Sequence, residues 1–126
     1  MQHSPAFLKV VNEARTRVTE VTIEELRARM AANPAVVLID VREDSEWQNG
    51  HADGAKHLGK GVLERDIEGL YPNPDTEIVM YCGGGYRSAL SCDMAQKMGY
   101  RKVASLIGGY KGLVAAGWPT VKPSQG

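Results

Sequence analysis

Apolar residues along this chain switch between two spacings, and the switches mark out its elements. Phe7, Val10, Val11, Ala14 and Val18 recur every three or four positions after Ser4-Pro5. That stripe predicts a helix over Ser4 to Val18, with Ser4 as its cap and Pro5 in the first turn, where no N–H is needed. Val18 to Val21 is short and predicts an edge strand. Thr22 and Glu25 form a capping-box pattern that opens a helix from Ile23 to Ala32, with Ile23, Leu26 and Met30 inward, and Asn33-Pro34 stops it. Ala35 to Ile39 is a nearly unbroken run of strand-forming residues, as in a strand covered on both faces.

Asp44 or Ser45 begins a short helical turn carrying Trp47, and Gly50 ends it. Ala55 to Leu58 predicts a short strand, and Lys60 to Glu68 a helix with Val62, Leu63 and Ile67 apolar and Gly69 as its stop. The loop Tyr71-Pro72-Asn73-Pro74-Asp75 precedes a buried strand, Glu77 to Tyr81. Gly83, Gly84 and Gly85 end that strand, and a helix follows from about Arg87, with Ala89, Leu90, Ala95 and Met98 at helical spacing. Gly99-Tyr100 turns the chain into a last strand, Val103 to Ile107, and a last helix, Tyr110 to Ala116. Strands alternating with helices predict an α/β fold, a parallel sheet with helices on both faces. Pro119, Pro123 and the closing Ser-Gln-Gly read as a mobile tail.

Composition narrows the function classes. With 126 residues, the chain has room for one domain with a real core. Fifteen basic residues balance fifteen acidic ones, so no global field draws the chain to nucleic acid or to a membrane surface. No apolar run approaches the roughly 20 residues of a membrane span. The first residues lack the pattern of a secretory signal, so the expected location is the cytoplasm. Two cysteines, Cys82 and Cys92, fit a reducing compartment, and three scattered histidines with no Cys-x-x-Cys predict neither a metal nor a cofactor.

The chemistry centres on Cys82. A cysteine at the carboxyl end of a strand, facing a helix amino terminus, sits in positive potential, which favours the thiolate. Three glycines allow the backbone to curl into a cup of N–H donors that can hold a thiolate, a persulfide or a small oxyanion. Asp40, at the end of its own strand, is expected on the same sheet edge, where open α/β sheets bind ligands. Arg42 and Glu46, four apart, have the spacing of a helical ion pair. Cys92, in the second turn of the helix, reads as a partly exposed packing residue. Trp47 and Trp118 read as packing.

The loop Cys82-Gly83-Gly84-Gly85-Tyr86-Arg87-Ser88 resembles the active-site loop of single-domain rhodaneses, which are sulfurtransferases. Asp40-Val41-Arg42-Glu43, with Glu46-Trp47 and Gly50-His51-Ala52-Asp53-Gly54-Ala55, is similar to that family's amino-terminal signature. Gly108-Gly109-Tyr110, with Gly117-Trp118-Pro119, is similar to its carboxyl-terminal one. Ala52-Asp53 stands where isoleucine-proline is commoner, and Leu58-Gly59 where a proline often follows. The resemblance implies a rhodanese-like domain over residues 18–121 with five mostly parallel strands, a helical extension over 1–17 and a flexible tail over 122–126.

It also implies that Cys82 takes a sulfane sulfur from a donor such as thiosulfate, becomes a persulfide and passes the sulfur to cyanide or a thiol. Gly83 to Gly85 act through their backbones, Tyr86 lines the entrance, and Ser88 is a helix-terminus hydroxyl. Arg87 either fixes an anionic donor or pins the loop through a carboxylate such as Asp40. Asp40 and Arg42 order the surrounding loops, His51 is structural, and Lys60 is a candidate contact for the donor anion. The same cysteine chemistry serves a persulfide carrier loaded by a sulfur-relay protein, while a non-catalytic interaction module is a third reading. Phosphatases and arsenate reductases place five residues between cysteine and arginine; here four intervene, a smaller cup suited to one sulfur atom.

Overall fold

The computed structural model describes residues 3–123. A five-stranded sheet forms the middle layer, in the order β1 (Thr19–Val21), β6 (Val103–Leu106), β5 (Ile78–Tyr81), β2 (Val37–Asp40), β4 (Lys56–His57), and every pairing in it is parallel. β5 is therefore the central strand. Its alternating residues divide between two cores, because successive side chains point to opposite faces. Ile78, Met80 and Cys82 join Leu63, Ile67 and Cys92 on one side. Val79 and Tyr81 join Leu26, Leu106 and Leu113 on the other. All four residues of β5 are buried, as a doubly covered parallel strand requires.

The first face carries α4 (Leu63–Leu70) and α5 (Tyr86–Lys97); the second carries α2 (Ile23–Ala32) and α6 (Gly109–Ala115). α2 has the expected capping box, Thr22 Oγ1 accepting from Glu25 N–H and Glu25 Oε1 accepting from Thr22 N–H. α1 (Pro5–Arg15), capped by Ser4, packs outside these layers on α5. Val11 and Ala14 are buried there, whereas Val10, expected on the same stripe, is 55% exposed. A helix on one neighbour buries a narrow seam, and Val10 lies at its edge. Arg17 fixes the end of α1 by two hydrogen bonds to the Asp93 carboxylate, at 3.0 and 2.9 Å.

Further expectations about the elements change. The segment expected as one helix from Lys60 is a 3₁₀ turn, Lys60–Val62, followed by α4, and Gly69 lies inside α4 instead of ending it. Val62 faces solvent in that turn, while Leu63 and Ile67 make the contact with the core. Thr120–Val121 (β7) pairs antiparallel with His51–Ala52 (β3), closing the carboxyl-terminal segment onto the domain with a second small sheet. The expected tail over 122–126 lies for the most part outside the described residues, which stop at 123.

Candidate active site

The parallel register sets Asp40 of β2 opposite Tyr81 of β5, so the residues after both strands emerge at one edge of the sheet. Cys82 is the first residue past β5, and its side chain is almost fully buried. The loop from Cys82 to Arg87 curls back over the sulfur. Gly85 makes this possible with φ +97°, a left-handed value that disfavours any side chain, and its N–H donates to Cys82 Sγ at 3.1 Å. Ser88, in the first turn of α5, brings its hydroxyl 3.6 Å from the same sulfur. Ser88 Oγ is in turn 2.7 Å from Ser105 Oγ on β6, and both hydroxyls are buried.

Burial alone would push the Cys82 thiol up. The Ser88 hydroxyl and the N–H groups of Ser88, Gly84 and Gly85 outweigh it, and the thiol ionises below its ordinary value. Cys92 is the opposite case, since burial without donors pushes its thiol far up. It is fully buried, not partly exposed, and its packing role stands.

The outside of the loop is held by α6. Tyr110 N–H donates to the Cys82 carbonyl at 2.7 Å, and Lys111 N–H donates to the Gly83 carbonyl at 3.2 Å. The approach is so close that a Cβ on Gly109 would sit 2.5 Å from the Cys82 carbonyl oxygen. On the other side Arg87 grips Glu46 of α3 (Asp44–Gln48), with Nη1 to Oε1 at 2.6 Å and Nη2 to Oε2 at 3.0 Å. The Glu46 carboxyl is held below the usual carboxylate range, chiefly by that bond.

Arg87 is thus paired with Glu46, and Asp40, the carboxylate named above as an example of a partner for it, is engaged elsewhere. Asp40 accepts two side-chain bonds from Arg42 Nε and one from Nη2, and a backbone bond from Arg42 N–H. The expected Arg42–Glu46 pair is absent, because Arg42 turns inward. Its Nη2 also donates to Gly50 O at 2.7 Å, and its guanidinium lies 4.2 Å from the Tyr110 ring centroid. The buried pair thus braces Tyr110, whose backbone holds Cys82. His51 stacks flat on Trp47 at 3.4 Å and contacts Trp47 O through Nδ1, a structural role.

A cavity of about 880 Å³ is lined by Cys82, Gly83, Gly84, Tyr86, Arg87 and Lys111, by Glu43 and Glu46, and by His3 and Phe7 from the α1 end. Lys60 does not line it; Lys60 lies in a neighbouring groove with Arg65 and the outer side of Arg87. Lys111 lines the cavity with Cys82. The sequence reading passed over Glu46 as a loop anchor, and also Ser105, Lys111, His3 and Phe7. Each reaches the site from a distant part of the chain, so no local pattern marks it. Among the described residues no three His, Cys, Asp or Glu side chains converge to hold a metal ion, and no helix is long and apolar enough to cross a membrane.

A sulfurtransferase of Allochromatium vinosum is 30% identical over 106 residues, covering 84% of this chain and 97% of that one. A candidate sulfur carrier protein of Bacillus subtilis is 26% identical over 100 residues, covering 79% of this chain. The chain spans 53% of the length of the Bacillus protein, and 23% of a Mycobacterium tuberculosis relative described as a probable adenylyltransferase/sulfurtransferase. Among solved structures, a Rhodopseudomonas palustris protein of unknown function, described as a possible tyrosine phosphatase, matches with a TM-score of 0.79 and 30% identity over 94% of this chain and 96% of its own. The family model of the rhodanese-like domain matches residues 22–116, and the chain belongs to that family.

Proposed function

We propose that this chain is a sulfurtransferase that carries sulfane sulfur on Cys82. The observation that carries the reading is the sulfur itself: a buried Sγ under the Gly85 N–H and the Ser88 hydroxyl, with its thiol shifted down. A thiolate held by fixed donors is nucleophilic without a general base. It attacks the outer sulfur of thiosulfate; the new S–S bond forms as the old one breaks, and the electron pair leaves with sulfite. The anionic outer sulfur of the persulfide then meets the N–H groups of the loop. Cyanide or a thiolate takes that sulfur and returns the Cys82 thiolate, giving two half-reactions and ping-pong kinetics.

The Bacillus relative supports a second use of the same chemistry, in which Cys82 is loaded by a protein donor and relays sulfur onward. The description of the Rhodopseudomonas structure raises phosphate-ester hydrolysis. Three features argue against that here. The six residues from Cys82 to Arg87 form a small cup, and Arg87 has both terminal nitrogens on Glu46 instead of free to fork onto phosphate oxygens. Glu46, kept ionised by the same pair, is a poor acid for a leaving group. The test is thiocyanate formation from thiosulfate and cyanide, which Cys82→Ser should abolish in a folded protein. Turnover that survives that substitution would refute the reading.

A further inference from the structure

The family match begins at residue 22, yet a side chain from before it reaches the cysteine loop. Arg15, in the last turn of α1, donates through Nη2 to the Gly85 carbonyl at 3.4 Å. Its guanidinium lies 4.9 Å from the ring centroid of the next residue, Tyr86. The remaining nitrogens are engaged as well. Nε lies 3.3 Å from Glu20 Oε2 on β1, and Nη1 donates to Asn12 Oδ1 at 3.5 Å. The helix that carries Arg15 is itself fixed on α5. Val11 and Ala14 are buried, Arg17 holds the Asp93 carboxylate, and Gln96 Nε2 donates to the Arg17 carbonyl at 2.9 Å. Arg15 therefore reaches the loop from a rigid support, on a side chain only 29% exposed.

Gly85 is where such a contact matters most. Its N–H donates to Cys82 Sγ, and its φ of +97° leaves no place for a side chain that could pack and hold it. Its orientation depends on what its backbone bonds to, and a hydrogen bond weakens steeply as its angle opens. We infer that Arg15 is a positioning residue of the cysteine loop, clasping the Gly85 carbonyl and the Tyr86 ring so that the Gly85 N–H stays aimed at the sulfur. The inference rests on the sulfur-transfer reading and makes α1, outside the family match, part of the construction of that site. The titratable groups that line the cavity with Cys82 are His3, Glu43, Glu46, Tyr86, Arg87 and Lys111, and all of them are kept in variants of Arg15.

The test measures the alkylation rate of Cys82 against pH and single-turnover persulfide loading from thiosulfate, both in the full chain. Arg15→Ala should move the alkylation midpoint upward and slow loading about fivefold, the effect of one lost hydrogen bond. Arg15→Lys keeps a cation and a donor, and should recover part of both. Arg15→Gln should behave as Arg15→Ala does, and it decides the matter if the alanine variant does not fold. Arg29→Ala is the control. It removes a half-buried ion pair to Glu77, 3.8 Å long and remote from the loop, and should leave the midpoint in place whatever it does to stability. An unmoved midpoint or unchanged loading in folded Arg15 variants would overturn the inference, as would a shift that Arg29→Ala reproduces. A wild type that gains no sulfur refutes the sulfur-transfer reading, whereas a loading wild type with indifferent Arg15 variants refutes the role of Arg15 alone.

Discussion

Arg87 and Glu46 stand 41 positions apart in sequence and meet through two hydrogen bonds of 2.6 and 3.0 Å. The pair fastens the far end of the cysteine loop to α3, while α6 fastens the near end through the carbonyls of Cys82 and Gly83. With both ends fixed, the N–H groups of the loop stay aimed at one point.

Because both side chains are about a third exposed, the pair stabilises the fold by only about 0.5–1 kcal/mol. Its larger effect should be on loop order. Glu46→Gln and Arg87→Gln should each slow persulfide loading, and the double variant should be no slower than the worse single one. Additive losses would mean that the two act separately. The stability difference has a predicted pH window. The Glu46 carboxyl is lowered in the fold, so its contribution is complete above the unfolded value of about 4.3 and is lost as pH falls through the folded one. Melting of wild type and Glu46→Gln should therefore converge in acid.

Ser105 Oγ lies 2.7 Å from Ser88 Oγ, which is itself 3.6 Å from Cys82 Sγ. When the Ser105 hydroxyl donates to Ser88, the Ser88 hydroxyl proton is available to an ionised Cys82. The alkylation rate of Cys82 against pH should show a midpoint below the roughly 8.5 of a free thiol. Ser105→Ala should move that midpoint upward. A wild-type midpoint at or above the free value would remove the activation claim.

Cys92 should stay silent. It is fully buried and its thiol is pushed up, so alkylation of the native protein should mark Cys82 alone. Cys92→Ala should keep most sulfur transfer. Loss of transfer in a folded Cys92→Ala protein would give it a role beyond packing.

Gly109→Ala should damage the site from behind. Its Cβ would meet the Cys82 carbonyl oxygen at 2.5 Å and the Gly83 carbonyl carbon at 2.8 Å, all rigid backbone. The loop must shift or α6 must retreat, and loading should fall at least tenfold. Gly61→Ala, whose Cβ would have open space, serves as the control in the same assay.

The features legible in the sequence are those with local causes. The Thr22–Glu25 box, the buried run at Ile78 to Tyr81 and the glycine run after Cys82 each act within a few residues, and each places an element or the nucleophile. The partners of the charged groups were not legible that way. Arg42 and Glu46 have helical spacing, but Arg42 lies before α3 and turns inward to Asp40, which frees Glu46 for Arg87. Lys60 and Lys111 are both exposed lysines in the sequence, and only the packing of α6 behind the loop brings Lys111 to the cavity. The β3–β7 pair was hidden because two-residue strands carry no alternation to detect.

Intact mass after incubation with thiosulfate tests the central claim most directly. Wild-type protein should gain the mass of one sulfur atom, lose it on addition of cyanide, and show neither change in the Cys82→Ser variant. No gain in well-folded protein, together with Cys82-dependent hydrolysis of an aryl phosphate, would contradict the account.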